Sequence, residues 1–509
     1  MIRRWFFAIG CATTLGAGAW SAHSKRIAVS ESDLRAYLGV IAHDSMKGRL
    51  TGSRALEQVT DFVAHELARL GAVPLGDSGA FTQHVPITSF RLDSAGTSGK
   101  WNSLPLHVNM DFLPVTGAFG IASARTARVP YRTRVYGGQL GKGRLVHPDS
   151  AAGRVVVFDA PLRANGQQDY QLWSVRSELM RYRAAAAIGV FALDVAPRAF
   201  REQMMSAQFA LRGEESLQPS MPPMVFFADS RDGWFPSFSG APRSEVTPGT
   251  LAGPNEFTYE SRDIGLETAA RNVVALIPGS DPRLKAQYVV LSAHLDHLGI
   301  AKPDDRDGAD SVYRGADDAT GAAALLALVS ALRLAQPRRS IVLLWTVGEE
   351  QGFLGSQYFA NHPTVPRDSV VANITLDMIG RGGANDVPGG GPAYLELHGA
   401  ARSADLAARV RAVNARLSSP FQPGERAEPP DSVRCDGDDW HFARWGIPSV
   451  RLSTGQSPDF HRVTDDVSRI DYSKFARVTE FAAEIAIDVA NAADRPRKVA
   501  ADPRRACVH

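Results

Sequence analysis

The sequence predicts an α/β fold, a mainly parallel mixed sheet with helices on both faces, into which a β-rich domain is inserted. Three observations predict it. From Asn272 onward, apolar runs of strand length alternate with longer helical patterns, the order that builds a parallel sheet covered on both sides. Between 106 and 255 that order gives way to short β-like runs punctuated by Gly and Pro. Finally, 509 residues with 44% hydrophobic and 22% charged side chains describe a globular chain of about three domains rather than a disordered one.

Taken in order, residues 1–4 carry Arg3 and Arg4, an apolar stretch follows, and Ala19-Trp20-Ser21 ends it on small residues. This predicts an export signal over residues 1–21. The arginine pair leaves a twin-arginine route open, although that motif is incomplete, and Cys11 is a weaker hint of lipoprotein anchoring. The mature chain is expected to be exported, periplasmic or secreted, with no other apolar run long enough to span a bilayer. Residues 31–73 read as helical. Ser30 and Ser32 offer caps, Leu34, Leu38, Ile41, Val59, Val63 and Leu67 recur at threes and fours, and Gly71 supplies the stop. In the β-rich stretch, 154–159, 188–193 and 222–227 read as strands and 174–187 as a helix. The Gly-rich 137–142 reads as a turn, because Gly143 stands where a phosphate loop needs Ser or Thr. Beyond 272, strands are expected at 288–293, 340–347, 370–376, 393–397 and 448–452, and helices at 321–334, 356–361, 403–417 and 472–490.

Composition excludes several functions. Lys and Arg total 56 against 54 Asp and Glu, a net charge of +2 that gives no support to a nucleic-acid partner. Three cysteines allow neither a disulfide scaffold nor a Cys-rich zinc module. A metal must therefore be held by His, Asp and Glu. Cys435 and Cys507 remain after signal removal, and their pairing is left open. No His-Glu-x-x-His helix and no Gly-x-Ser-x-Gly elbow occurs.

In a parallel sheet, ligands gather at the carboxyl ends of strands. Here the strand ends carry His294-Leu-Asp296, Gly348-Glu349-Glu350 and Asp377; Asp317-Asp318 opens a helix and His461 sits in a late loop. Each has an ordinary reading alone: a hydrogen-bonded histidine, a helix cap, a solvated charge pair. Together, apolar strands delivering carboxylates and imidazoles to one crevice would be costly without a cation. Mixed imidazole and carboxylate ligation suits two Zn²⁺ ions, with Mn²⁺ or Co²⁺ as substitutes. Two such ions about 3.5–4 Å apart share a bridging carboxylate and activate a shared water. A further carboxylate must then carry the proton to the leaving amine.

The segments Ser292-Ala-His-Leu-Asp-His-Leu-Gly299, Gly315-Ala-Asp-Asp-Ala-Thr-Gly321, Gly348-Glu-Glu-Gln-Gly-Phe-Leu-Gly-Ser356 and Leu376-Asp-Met-Ile-Gly380 resemble the di-zinc M28 metallopeptidases. That family includes bacterial secreted aminopeptidases and glutamate carboxypeptidases. The resemblance spans roughly residues 31–490 and includes Gly48-Arg-Leu-Thr-Gly52; the insert resembles a protease-associated domain. It implies a zinc-exopeptidase-like fold. The organisation it implies is a signal at 1–21, peptidase-domain segments at 27–105 and 256–492, an insert at 106–255 and a flexible tail at 493–509. By the same resemblance His294 and Asp377 complete one zinc site, Glu350 and His461 the other, and Asp317 bridges them. Glu349 is the general acid/base, and Asp296 holds the other nitrogen of His294. His297 has no ligand role in that comparison. Phe460 stands where several family members carry a Tyr whose hydroxyl steadies the oxyanion. Asp438 aligns with the family's usual Asp and Asp439 stands where His is common; Asp438 and His441 are candidates to support a ligand or line the substrate wall, with a structural role expected foremost.

The activity so implied is an exopeptidase acting on peptides or small proteins, foremost an aminopeptidase. A carboxypeptidase or dipeptidase would need an arginine cluster, for which Arg381, Arg434 and Arg451 are available. An inactive binding or receptor module would have lost ligands, and none is missing here. A single-zinc cyclotransferase on a related fold is the remaining alternative. Side-chain preference, the role of the insert and oligomeric state are left open.

Overall fold

The main sheet has nine strands. In spatial order they are Val73–Pro74, Arg271–Ile277, Ser340–Thr346, Tyr288–His294, Val370–Leu376, Ser449–Ser453, Tyr394–His398 and Gln422–Glu425, with Thr82–His84 also paired to Arg271–Ile277. The computed structural model describes residues 27–114, 134–160, 178–228, 246–302, 306–425 and 437–502, with interruptions at 102 and 142, between 180 and 223 and between 253 and 262. The expected signal, Cys11, Arg434, Cys435 and Cys507 lie outside the described residues. The strands from Ser340–Thr346 to Ser449–Ser453 run parallel to one another. Arg271–Ile277, a strand absent from the sequence reading, and Tyr394–His398 run antiparallel to their inner neighbours.

Side chains alternate across a strand, which divides the apolar residues between two layers. Val289, Leu291 and Ala293, with Ile341, Leu343 and Trp345, face the helices Glu31–Ile41, Ala316–Ala335 and Tyr472–Asn491. Val290, Val342 and Leu344 face the other way, against Phe359 of Leu354–Asn361 and Phe442 of Asp439–Ala443. Contrary to the expectation of no further run of that length, Ala316–Ala335 is long and apolar enough to cross a membrane by composition. It is the core helix, packed between the sheet and the first and last helices, which is why it is apolar all round.

The single helical stretch expected at 31–73 is in fact two helices, Glu31–Ile41 and Arg54–Arg69, capped by Ser30 and Ser53. Between them Lys47, Gly48 and Arg49 take φ values of 44°, 66° and 50°, left-handed conformations that end a right-handed helix.

A second sheet of six strands orders as Leu251–Ala252, Arg134–Gln139, Val155–Asp159, Ala187–Phe191, Met224–Phe227 and Phe112–Pro114. Its middle four are parallel. It has its own apolar layers, Val156, Phe158, Ile188 and Phe226 on one side and Val155, Val157, Val225 and Phe227 on the other. The turn expected at 137–142 begins later, because Gly137 to Gln139 complete a strand. Gly137 is needed there: a Cβ would lie 2.1 Å from the Phe158 ring. Of the helix expected over 174–187, Glu178 and Leu179 are helical, residues 181–184 form a turn, and Ala187 already begins a strand; 174–177 and 180 lie outside the described residues. The chain passes between the two sheets along Ile87–Leu92 and Asp263–Thr268, hydrogen-bonded to each other on either side of the 106–255 segment.

Candidate metal centre

Register brings the centre together. Tyr288–His294 pairs with Ser340–Thr346 so that His294 lies beside Thr346, and Ser292 lies beside Thr375 on the opposite neighbour. Three parallel strands therefore end level, and the residues that follow them (His294 itself, Glu349 and Glu350, Asp377) converge above one edge. Gly348, at φ +73°, turns the chain after Thr346 so that both glutamates stay there.

Asp317 and Asp318 open Ala316–Ala335 in non-helical conformations, joined by a cis peptide bond. Their side chains part. Asp318 Oδ1 accepts from the Gly321 N–H (2.7 Å), the Met378 N–H (3.1 Å) and the Thr320 hydroxyl (3.2 Å), acting as the helix cap. Asp317 instead reaches across the centre: Oδ1 lies 3.4 Å from His294 Nε2 and Oδ2 lies 3.3 Å from His461 Nε2. His461 Nε2 is also 3.2 Å from Glu350 Oε2, while His294 Nε2 stands 3.9 Å from Glu349 Oε2 and 4.0 Å from Asp377 Oδ1. The other oxygen of Asp377 accepts from Arg451 Nη1 at 2.8 Å, which fixes the carboxylate's orientation.

Asp296 sits beneath His294, with its carboxylate turned elsewhere than the sequence suggests. His294 Nδ1 meets the main-chain carbonyl of Asp296 at 3.1 Å, and the carboxylate stays 3.9 Å away. That carboxylate accepts from the Thr51 hydroxyl (2.8 Å) and the Glu349 N–H (3.1 Å), two donors that hold it away from the ring. His297, given no ligand role from sequence, places Nδ1 2.6 Å from Glu350 Oε1. Its signal was the second histidine of the His-Leu-Asp-His run, and only packing showed which way it faces. Phe460 stacks on the His461 ring at 3.8 Å and brings no hydroxyl. Asp438 accepts hydroxyls from Thr346 and Ser356, Asp439 pairs with Arg402, and His441 meets Arg444 Nε, so this buried helix braces the sheet.

The electrostatics divide the adjacent glutamates. Burial pushes the Glu349 carboxyl well above its ordinary range, with His294 opposing and the carboxylates of Glu350 and Asp377 reinforcing. Burial acts on Glu350 too, but the His461 and His297 imidazoles outweigh it and hold Glu350 down at about 2. Neighbouring carboxyls driven apart in this way take different roles, one exchanging a proton and one staying ionised. Burial opposes charge on His461, yet Glu350 and Asp317 raise it to about 11. His294 is likewise raised against burial by Glu349 and Asp317.

A buried cluster whose carboxylates raise the proton affinity of both imidazoles is one that cations would complete. The atoms agree. Ligand atoms of His297, Asp317, Glu350 and His461 form one group within 4.8 Å, and those of His294, Asp318 and Asp377 form another. His297 Nε2 and Asp318 Oδ2 are buried without a hydrogen-bond partner. Two groups of imidazole and carboxylate, with no thiolate among the described residues, fit a pair of zinc-type ions. Beside Asp377 opens a cavity of about 420 Å³, lined by Met378, Val387, Tyr394, Glu396, Arg451 and Gln456 among others.

Fold and donor set define a zinc metallopeptidase architecture of the two-metal kind. Residues 272–486 match the model of Peptidase family M28, and the chain has the fold of that family. A vacuolar membrane protease of Lachancea thermotolerans is 34% identical over 154 residues, covering 28% of this chain and 14% of that protein. A probable zinc metalloprotease of Pyrenophora teres f. teres is 35% identical over 115 residues, covering 22% and 23%. The matches thus span less than a quarter of the length of either relative. Among solved structures, an aminopeptidase from Aneurinibacillus sp. strain AM-1 shares the fold at a TM-score of 0.54 and 13% identity, covering 96% of this chain and 98% of that one. A zinc aminopeptidase from Bacillus subtilis does so at 0.51 and 14%, covering 93% and 99%.

Proposed function

We propose that this protein is a zinc-dependent exopeptidase, an aminopeptidase that releases N-terminal residues from peptides or small proteins. One observation carries the reading: the two oxygens of Asp317 face His294 on one side and His461 on the other, the placement a bridging ligand requires. His294 and Asp377 would hold one ion, Glu350 and His461 the other. Bound there, the zinc pair supplies Lewis acidity and a water acidic enough to attack near neutrality. Glu349, the buried carboxyl with the raised proton affinity, would serve as the general acid/base that carries a proton to the leaving amine. Asp296 positions this base through the Glu349 N–H and holds His294 through its own carbonyl. The cavity beside Asp377 receives the side chain of the terminal residue.

Two observations disfavour a carboxypeptidase. Arg381 pairs with Asp386 and Asp459, and Arg451 with Asp377, so among the described residues both arginines already carry carboxylate partners. The solved relatives described as aminopeptidases point the same way. The finer placement belongs to the same reading: an exported, bacterial-type enzyme of this family whose second sheet is a protease-associated insert. N-terminal sequencing of the exported chain tests the signal at residues 1–21.

The deciding assay compares matched peptides blocked at either terminus. Cleavage that requires a free amine and is lost on chelation is expected. Cleavage that requires a free carboxylate instead would sink the aminopeptidase reading.

A further inference from the structure

The segment Gly48-Arg49-Leu50-Thr51 lies some 245 residues from His294 in sequence and yet runs along the underside of the centre. Gly48 accepts from the Gly299 N–H at 2.8 Å, Arg49 accepts from the His297 N–H at 3.1 Å, and Leu50 bridges to His297. The contact is backbone to backbone: a Cβ on Gly48 would lie 2.1 Å from the Gly299 carbonyl oxygen and 2.7 Å from that of Tyr313. Gly48 and its two neighbours also hold positive φ values, a conformation that non-glycine residues adopt only when their surroundings impose it.

Arg49 is fully buried, and its guanidinium is spent on main-chain carbonyls. Nε donates to Leu295 (2.8 Å), Nη1 to Ile41 (3.2 Å) and Arg314 (2.5 Å), and Nη2 to Gly315 (3.1 Å) and Asp317 (3.4 Å). Five donors meet five acceptors, the full capacity of the side chain. Leu295 sits between His294 and Asp296, and Arg314 to Asp317 is the approach to the bridging aspartate. One rigid planar fork therefore ties together the two loops whose separation sets the distance from His294 to Asp317. Two residues on, the Thr51 hydroxyl fastens the Asp296 carboxylate. Burial lowers the guanidinium to about 10, with Asp296 and Asp317 opposing, so it stays charged beside the carboxylates at neutral pH.

We propose that Arg49 is a positioning residue of the metal centre: its fork, carried on the Gly48–Thr51 strap, sets the spacing of the His294 and Asp317 loops and thereby the affinity of the zinc pair. This rests on the reading of His294 and Asp317 as zinc ligands. Lysine cannot replace it, because one ammonium carries three donors at a point and cannot span carbonyls on separate loops.

Arg339 provides the control. It too is buried, and it ties Gln287 Oε1 (2.7 Å) and the carbonyls of Val489 (3.2 Å) and Ala492 (2.5 Å), at the start of Ser340–Thr346, the end of the strand away from the centre. The full chain and its R49K and R339K variants are stripped of metal, titrated with Zn²⁺ against a chromophoric chelator, and loaded with Co²⁺ for absorption spectra. Both variants are expected to lower the melting temperature of the metal-free protein. Only R49K is expected to weaken zinc binding, by about 10–100-fold as for other groups that orient ligands, and to shift the cobalt bands. Wild-type zinc affinity and cobalt bands in R49K, or an equal loss in R339K, would overturn the proposal. Should R49K fail to fold, T51V carries the same test through Asp296, and unchanged cobalt bands there count against the strap. A wild-type chain that binds no zinc pair overturns the ligand reading itself, and the strap with it.

Discussion

The two largest sheets among the described residues are built alike and end differently. Both have parallel middle strands with apolar side chains on both faces. In the six-stranded sheet, Val155–Asp159 ends in a carboxylate that accepts from the Tyr136 hydroxyl at 2.5 Å, a pair that is locally satisfied. In the nine-stranded sheet, the equivalent edge gathers Asp317, Glu349, Glu350 and Asp377 around His294 and His461 with two buried polar atoms left unpartnered nearby. The architecture supplies a crevice; the residues at the strand ends supply the chemistry. A parallel sheet is therefore no evidence of activity until its carboxyl edge is read residue by residue.

The sharpest way to separate the two regions is to remove the proposed proton carrier. Glu349→Gln is expected to lower peptide hydrolysis by roughly 10²–10⁴ while the protein still binds two zinc ions, read by steady-state rates and metal analysis on one sample. Undiminished activity would remove Glu349 as the base. Next comes the other sheet. Phe158 is fully buried and packs edge-on to Tyr182 at 4.9 Å. Phe158→Ala should cost about 3–5 kcal/mol of stability in denaturant unfolding while zinc content and kcat hold. Loss of zinc in that variant would show that the sheets are coupled.

The smallest expected effect is a proton count. His461 has a metal-free value of about 11 against an ordinary 6.5. A raised value means that protonation stabilises the folded metal-free chain fully below about pH 6.5, and that this contribution is lost as pH rises through about 11. Zinc requires the neutral ring, so loading at pH 7 displaces the proton, and zinc affinity should climb with pH. Calorimetric titration in buffers of different ionisation enthalpy reads this directly. Heats that do not depend on the buffer would contradict it.

Much of the centre was legible in advance because strand ends are local features. Apolar runs stop where His294, Glu349 and Asp377 begin, whereas the choice of Asp317 as the bridge came from the family resemblance; Asp318 turns Oδ1 to the Gly321 N–H and yet groups with His294 and Asp377. The left-handed break at Lys47 to Arg49 was hidden because helical periodicity continues on both sides of it. The strand Arg271–Ile277 was missed because it lies at the join between two patterns.

By itself, then, the sequence determined the layer order, the apolar faces and the kinds of donor at each strand end, since these follow from side-chain period and from where a run stops. The tertiary structure decided the rest. It put His297 against Glu350, gave the Asp296 carboxylate to Thr51, and set Arg49 beneath two loops far from it in the chain. Those contacts join residues tens to hundreds of positions apart, and loop direction depends on what the packed core leaves unpaired, which no local pattern records.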